Sequence, residues 1–119
     1  MPDQAAFLST IKNGYSFRSE SAKIGIGMLD GKTVPGADVN LPLKTMNRHG
    51  LIAGATGTGK TKTLQMITEA LSNASVPVLV MDIKGDLSGL GAAGTINDKI
   101  TSRCESLGIQ FKPQAFPVE

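Results

Sequence analysis

Residues 54–61 read Gly-Ala-Thr-Gly-Thr-Gly-Lys-Thr. This is G-x-x-x-x-G-K-[ST] without deviation, at Gly54, Gly59, Lys60 and Thr61. These residue types at this spacing suit the grip of a polyphosphate. Glycines let the backbone curl so that successive N–H groups converge on phosphate oxygens, and they allow close approach. A helix starting within the loop adds unpaired N–H groups and the positive end of its dipole. Lys60 has the reach and charge to meet the β- and γ-phosphates and to offset charge on the transferred phosphoryl. The Thr61 hydroxyl is a hard oxygen ligand of the kind Mg²⁺ takes while keeping most of its waters. The candidate nucleotide-binding set is Gly54, Ala55, Thr56, Gly57, Thr58, Gly59, Lys60 and Thr61, with Lys60 also catalytic and Thr61 also the metal ligand.

A second constellation follows at residues 80–86, Val-Met-Asp-Ile-Lys-Gly-Asp, with two acids, Asp82 and Asp86. Both are candidate catalytic residues. Three chemistries compete for Asp82. In a GTPase it would open a D-x-x-G switch. Against that, Lys60 and Asp82 are only 22 positions apart (82 − 60), which leaves room for one helix and one strand. No N-K-x-D guanine tetrad occurs either, and Thr-Ile-Asn-Asp at 95–98 is not one. ATP is therefore the nucleotide expected, with Mg²⁺. In a small-molecule kinase Asp82 would orient a hydroxyl as base. Such kinases usually open on the phosphate loop and carry an arginine-rich lid; here 53 residues precede the loop and only Arg103 follows it. The third reading is an ATP-driven motor.

The elements that must hold these residues can be read from periodicity. A short helix is expected around residues 3–11. Alternation in Lys-Ile-Gly-Ile-Gly-Met, turn signals at Asp30-Gly31 and Pro35-Gly36, and Val39, Leu41 and Leu43 on one face predict a small antiparallel β element over 23–43, with Pro42 on an edge. A short buried strand is expected at 50–53. Leu64, Ile67 and Leu71 predict a helix over 60–72, with Asn73 as C-cap. The run of β-branched and apolar residues at 76–82 reads as a strand buried on both faces, as in a parallel sheet. Residues 95–107 predict a helix capped by Thr95 with Asp98 three residues on. Ile96, Ile100, Cys104 and Leu107 would form its inner face, Cys104 as a small core residue, and Gly108 its stop. Residues 109–119 read as strand or loop. The order implies an α/β fold: a P-loop NTPase parallel sheet of the RecA/ASCE kind, incomplete, preceded by a small antiparallel β element. The expected division is an N-terminal segment 1–22, the β element 23–45, and the first part of an ATPase domain over 46–119.

Composition narrows the class. At 119 residues the chain supports one ordinary domain. Hydrophobic residues at 40% against 18% charged favour a packed core over disorder. A net charge of +2, spread along the chain, does not by itself argue for nucleic acid. One cysteine rules out a disulfide framework within the chain and fits a reducing compartment. No stretch approaches the roughly 18 apolar residues of a membrane span, and the N-terminus lacks signal-peptide character. A cytoplasmic protein without membrane contact is expected. His49, with no Cys or His pair, reads as a loop residue rather than a metal ligand.

Two segments carry a resemblance. Leu-Pro-Leu-Lys-Thr-Met-Asn-Arg-His-Gly-Leu-Ile-Ala before the loop at 54–61, and Met-Asp-Ile-Lys-Gly-Asp-Leu-Ser-Gly-Leu at 81–90, resemble the HerA-like helicases of the HerA/FtsK group of P-loop NTPases, most of all the bacterial YjgR-type branch. The resemblance runs from about Lys23 to the C-terminus. It implies an ATPase that drives DNA translocation or unwinding, assembled as a homo-oligomeric, hexameric ring. It also implies that Thr56 to Thr61 hold the triphosphate and Mg²⁺, and that Asp82 and Asp86 lie towards the γ-phosphate or a subunit boundary. The acidic pair on a further strand, the polar sensor and the arginine finger of that family have no counterpart here. The expectation is an N-terminal fragment, with exposed apolar surface and weak stability when isolated. The rival readings are a small-molecule kinase and a non-catalytic nucleotide-binding or interaction fragment.

Overall fold

A helix starts at Gln4 because Asp3 caps it. The Asp3 carboxylate accepts from the Ala5 N–H at 2.9 Å. In a computed structural model, which describes residues 3–119, this helix, α1, spans Gln4–Tyr15 and is followed by a single two-stranded sheet. The chain is α/β and divides into two units. One holds the residues up to Asn47 together with Asn97–Phe111, and the other holds Arg48–Ile96 with Lys112–Glu119.

In the first unit, β1 (Ser21–Leu29) and β2 (Lys32–Pro42) pair antiparallel across a two-residue turn at Asp30 and Gly31. Their φ values of 49° and 76° are both left-handed, as the twist of a tight hairpin requires. Pro35-Gly36 is not the second turn that its dipeptide predicts. The ladder runs from Met28↔Thr33 to Ile26↔Asp38, so Gly27 alone on β1 faces Val34 to Ala37 on β2. Pro35-Gly36 is therefore a bulge inside one strand, with Gly36 at φ 78°. Proline fits there because a bulge releases its position from donating to the ladder.

The bulge builds the small core of this unit. Val34 is 3% and Ala37 0% exposed, and α1 packs chiefly on β2. Gly27 is buried where Phe7 of α1 crosses the hairpin: a Cβ there would stand 3.1 Å from both the Phe7 ring and the Ala37 methyl. The Asn40 side-chain amide donates to the Tyr15 carbonyl at 3.0 Å, tying β2 to the end of α1.

Helix α3, Asp98–Leu107, belongs to the same unit. It begins three residues later than expected. Asn97, not Thr95, is the cap, its side-chain oxygen accepting from Ile100 N–H at 3.0 Å. Asparagine is the stronger cap, and Asp98 then sits in the first turn where the dipole favours it. Ile96 is left outside the helix and exposed, while Ile100, Cys104 and Leu107 are half-buried. Gly108 ends α3 as expected, left-handed at φ 63°, with Ile109 N–H donating to Cys104 O and Gly108 N–H to Glu105 O.

In the second unit, α2 spans Lys60–Asn73. Of its expected inner face, Leu71 is buried, Ile67 half-buried and Leu64 38% exposed. The expected cap Asn73 is still helical. The left-handed residue is Ser75, at φ 61°, with Ser75 N–H donating to Ser72 O and Val76 N–H to Leu71 O. The Asn73 side chain instead accepts from the Gln114 amide at 3.0 Å.

The strands expected at 50–53 and 76–82 form no ladder with any described residue, and neither does 109–119. Their hydrophobicity is real but uncovered: Leu51, Leu79 and Met81 are each about nine-tenths exposed. A strand exists by pairing its backbone, and neither segment finds a partner edge in the other. Two segments joined by a helical crossover need not be neighbours in a sheet. No described helix is long and apolar enough to cross a membrane.

Two substitutions test this packing. Ser75→Gly removes a side chain from a left-handed position, and the gain there exceeds the added freedom of the unfolded chain. It should raise stability by about 0.5–1 kcal/mol. Gly27→Val places atoms where Phe7 and Ala37 already stand and should destabilise by about 1–3 kcal/mol. Denaturant titration reads both; a lower midpoint for Ser75→Gly, or an unchanged one for Gly27→Val, contradicts the packing described.

Candidate functional site

The loop before α2 is closed on one carbonyl. Ala55 O accepts from the Thr58 hydroxyl at 2.7 Å, from the Lys60 ammonium at 2.7 Å and from Thr58 N–H at 3.4 Å. Gly57 and Gly59 turn the backbone with φ of 81° and 96°, values that side chains of L-residues resist. Gly54 is required for a different reason. A Cβ on it would lie 2.6 Å from the Thr58 hydroxyl, so a side chain at 54 would displace that hydroxyl from its bond to Ala55 O.

Helix α2 then begins at Lys60 with Gly59 at its N-cap position and no side-chain cap. The Gly59 carbonyl accepts from both the N–H and the hydroxyl of Thr63, at 3.0 and 3.2 Å. The N–H groups of the first turn, which carry the positive end of the helix dipole, have no cap oxygen. Thr61 is exposed in that turn and Lys60 half-buried. All eight sequence-identified loop residues thus lie on one short arc that ends in a helix N-terminus. Thr61 offers a hard hydroxyl oxygen, which fits Mg²⁺ bound mainly by phosphate and water rather than by a protein cage. No group of three His, Cys, Asp or Glu side chains among the described residues is placed to hold a metal.

The Asp82 carboxylate is engaged by backbone amides that follow it in the chain. Its Oδ2 accepts from Leu87 N–H at 2.7 Å, and its Oδ1 from Gly85 N–H at 2.9 Å and Lys84 N–H at 3.2 Å. Both oxygens are used to fold residues 82–87 into a turn, with Gly85 left-handed at φ 75° and the Ser88 hydroxyl donating to Gly85 O. These amides, Leu87 foremost, hold the Asp82 pKa below the ordinary aspartate value. Leu87 is buried beneath the turn.

Asp82 and Gly85 also line an open groove of about 1040 Å³, walled by Thr68 and Ser72 of α2, Val76 to Val80, and Phe116. None of residues 54–61 lines that groove. Asp86 is exposed, and its carbonyl accepts from the Gln65 side-chain amide at 3.1 Å, which ties the turn to α2. Gln65 escapes a motif search. Its only sequence signal is its place three residues after Lys62 on one helix face, where the Lys62 ammonium donates to the Gln65 carbonyl oxygen at 2.9 Å.

The Asp82 turn has a pH signature. A carboxylate with a depressed folded pKa contributes fully above its unfolded value of about 3.9 and loses that contribution as pH falls through the lower folded value. An NMR titration following the Leu87 amide should show its midpoint below about 3.9, and Asp82→Asn should abolish that titration. A midpoint at or above that value contradicts the geometry.

The family described as Helicase HerA-like C-terminal matches residues 28–119. Over 71 residues, 60% of this chain, the sequence is 35% identical to the DNA double-strand break repair helicase HerA of Saccharolobus solfataricus. That stretch spans 14% of the relative's length. No solved structure matches the chain. The matched residues include the whole of the 54–61 loop, α2 and the Asp82 turn. By that match, the chain belongs to the HerA-like helicase C-terminal family.

Proposed function

We propose that residues 54–61 bind the triphosphate of ATP with Mg²⁺, and that in the whole protein its hydrolysis drives movement on DNA. The observation that carries the nucleotide assignment is the start of α2. A helix with no side-chain cap is entered through two left-handed glycines, and its first residue is Lys60. Uncapped first-turn amides, a dipole end and an ammonium group favour a multivalent anion over any neutral ligand. Lys60 leaves the Ala55 carbonyl to meet phosphate, exchanging a neutral acceptor for a charged one, which is the stronger hydrogen bond. Bound Mg²⁺ would neutralise phosphate charge and polarise the terminal phosphoryl group. Thr61 is the residue to hold it, and the loop amides orient the phosphates.

The motor reading rests on family membership. DNA as partner, and a homo-oligomeric, hexameric ring, come from the same source. We further infer that residues 50–53 and 76–82 are strands of a parallel sheet in the whole ATPase domain, which the exposed Leu51, Leu79 and Met81 favour. Asp82 serves as the organiser of its turn, and Asp86 is the acid of that turn left to face the γ-phosphate or a neighbouring subunit.

ATP hydrolysis by the full-length protein, with and without duplex DNA, tests this. Lys60→Ala should reduce turnover by at least about a hundredfold, on the scale of losing one preorganised charge-stabilising group. Thr61→Ala should raise the Mg²⁺ requirement. Normal turnover in Lys60→Ala overturns the site. Hydrolysis that ignores DNA overturns the motor reading and leaves a kinase, and the absence of hydrolysis leaves a binding fragment.

A further inference from the structure

The first turn of α2 and the Asp82 turn are joined by two hydrogen bonds that share one side chain. The Lys62 ammonium donates to Gln65 Oε1 at 2.9 Å, and Gln65 Nε2 donates to the Asp86 carbonyl at 3.1 Å. The orientation of the amide is fixed by chemistry. An ammonium group only donates and a backbone carbonyl only accepts, so the reverse placement of oxygen and nitrogen would lose both bonds.

Lys62 follows directly on Lys60 and Thr61, at the end of the loop proposed to hold phosphate. Asp86 lies inside the turn that Asp82 folds through the amides of Lys84, Gly85 and Leu87. That turn is stiff at its own end, since three of its N–H groups converge on one carboxylate. It has one side-chain hydrogen bond to α2 among the described residues, and Gln65 makes it.

We propose that Gln65 is a positioning residue that links the phosphate loop to the Asp82–Leu87 turn, so that a nucleotide held at the start of α2 sets the placement of Asp86. This rests on the nucleotide reading of residues 54–61. Phosphate bound to the first-turn amides immobilises Lys62, Lys62 holds Gln65, and Gln65 holds the Asp86 carbonyl. No proton moves in this chain of contacts; it transmits position. Gln65→Leu removes both bonds with little change in bulk. Gln65→Glu keeps an acceptor for Lys62 but turns a carboxylate oxygen towards the Asp86 carbonyl, so it cuts the second bond alone.

The test is amide hydrogen exchange at Gly85 and Leu87 in the full-length protein, with and without ATP·Mg²⁺, alongside nucleotide affinity. In the wild type, ATP·Mg²⁺ should slow exchange at both amides by at least about fivefold. In Gln65→Leu and Gln65→Glu the change should fall below about twofold, with ATP affinity kept within about twofold of wild type. Variants that respond like the wild type overturn the link, as does a wild type that binds ATP without any change at the turn. A wild type that does not bind ATP overturns the nucleotide reading itself, and the link with it. Variants whose Gly85 and Leu87 amides lose protection even without nucleotide, together with lost affinity, mark Gln65 as a support of the fold and also overturn the link.

Discussion

An α-helix that begins without a side-chain cap leaves its first N–H groups to be met from outside the chain, and α2 begins that way because residue 59 is glycine. That one constraint organises the second unit. Only glycine tolerates the φ of 96° that delivers the chain into the helix in this direction, and the same residue withholds the oxygen that serine or aspartate would have supplied there. Around it, Gly54 makes room for the Thr58 hydroxyl, and Ala55 O gathers the hydroxyl and the Lys60 ammonium. The loop is held by hydrogen bonds to its own Ala55 carbonyl, and none of them caps the first turn of α2.

The Asp82 turn shows the opposite use of polar groups. Here a charged oxygen pair is spent on the chain's own backbone, and the acid becomes a framework for the residues after it. A carboxylate holding three amides is a poor proton acceptor, since protonation would cost it those contacts. Its exposed neighbour Asp86 is the acid of this turn for which we propose the place at the γ-phosphate or a subunit boundary. Gln65 connects that neighbour to the start of α2.

Much of this was legible in the residues because it is local. Asp30-Gly31 names its own turn, Gly108 its own helix end, and G-x-x-x-x-G-K-T its own loop, since each requires a backbone conformation that few other residues accept. Where local signals compete, the choice fell to geometry. Pro35-Gly36 has turn chemistry but lies in a strand that bulges to let α1 settle over Gly27. Thr95 resembles a cap, but Asn97 is the better one and sits closer to the helix. Asn73 would suit a left-handed stop, yet it stays in the last turn of α2 and engages Gln114, and the left-handed residue is Ser75. The apolar runs at 50–53 and 76–82 announce burial but cannot name their partners. Pairing is a property of two segments, and strand order across a helical crossover is not written in either one. Gln65 was hidden for a related reason: its role depends on a turn 21 residues away in sequence.

The central claim is that the amides at the start of α2 receive phosphate. The most direct measurement is a titration of the ¹⁵N-labelled protein with ATP, with and without Mg²⁺, following the backbone amides of residues 54–62. The account predicts saturable downfield shifts at Gly57, Gly59, Lys60 and Thr61, deepened by Mg²⁺. Amides at 54–62 that stay in place while those lining the Val76–Val80 groove move would contradict it.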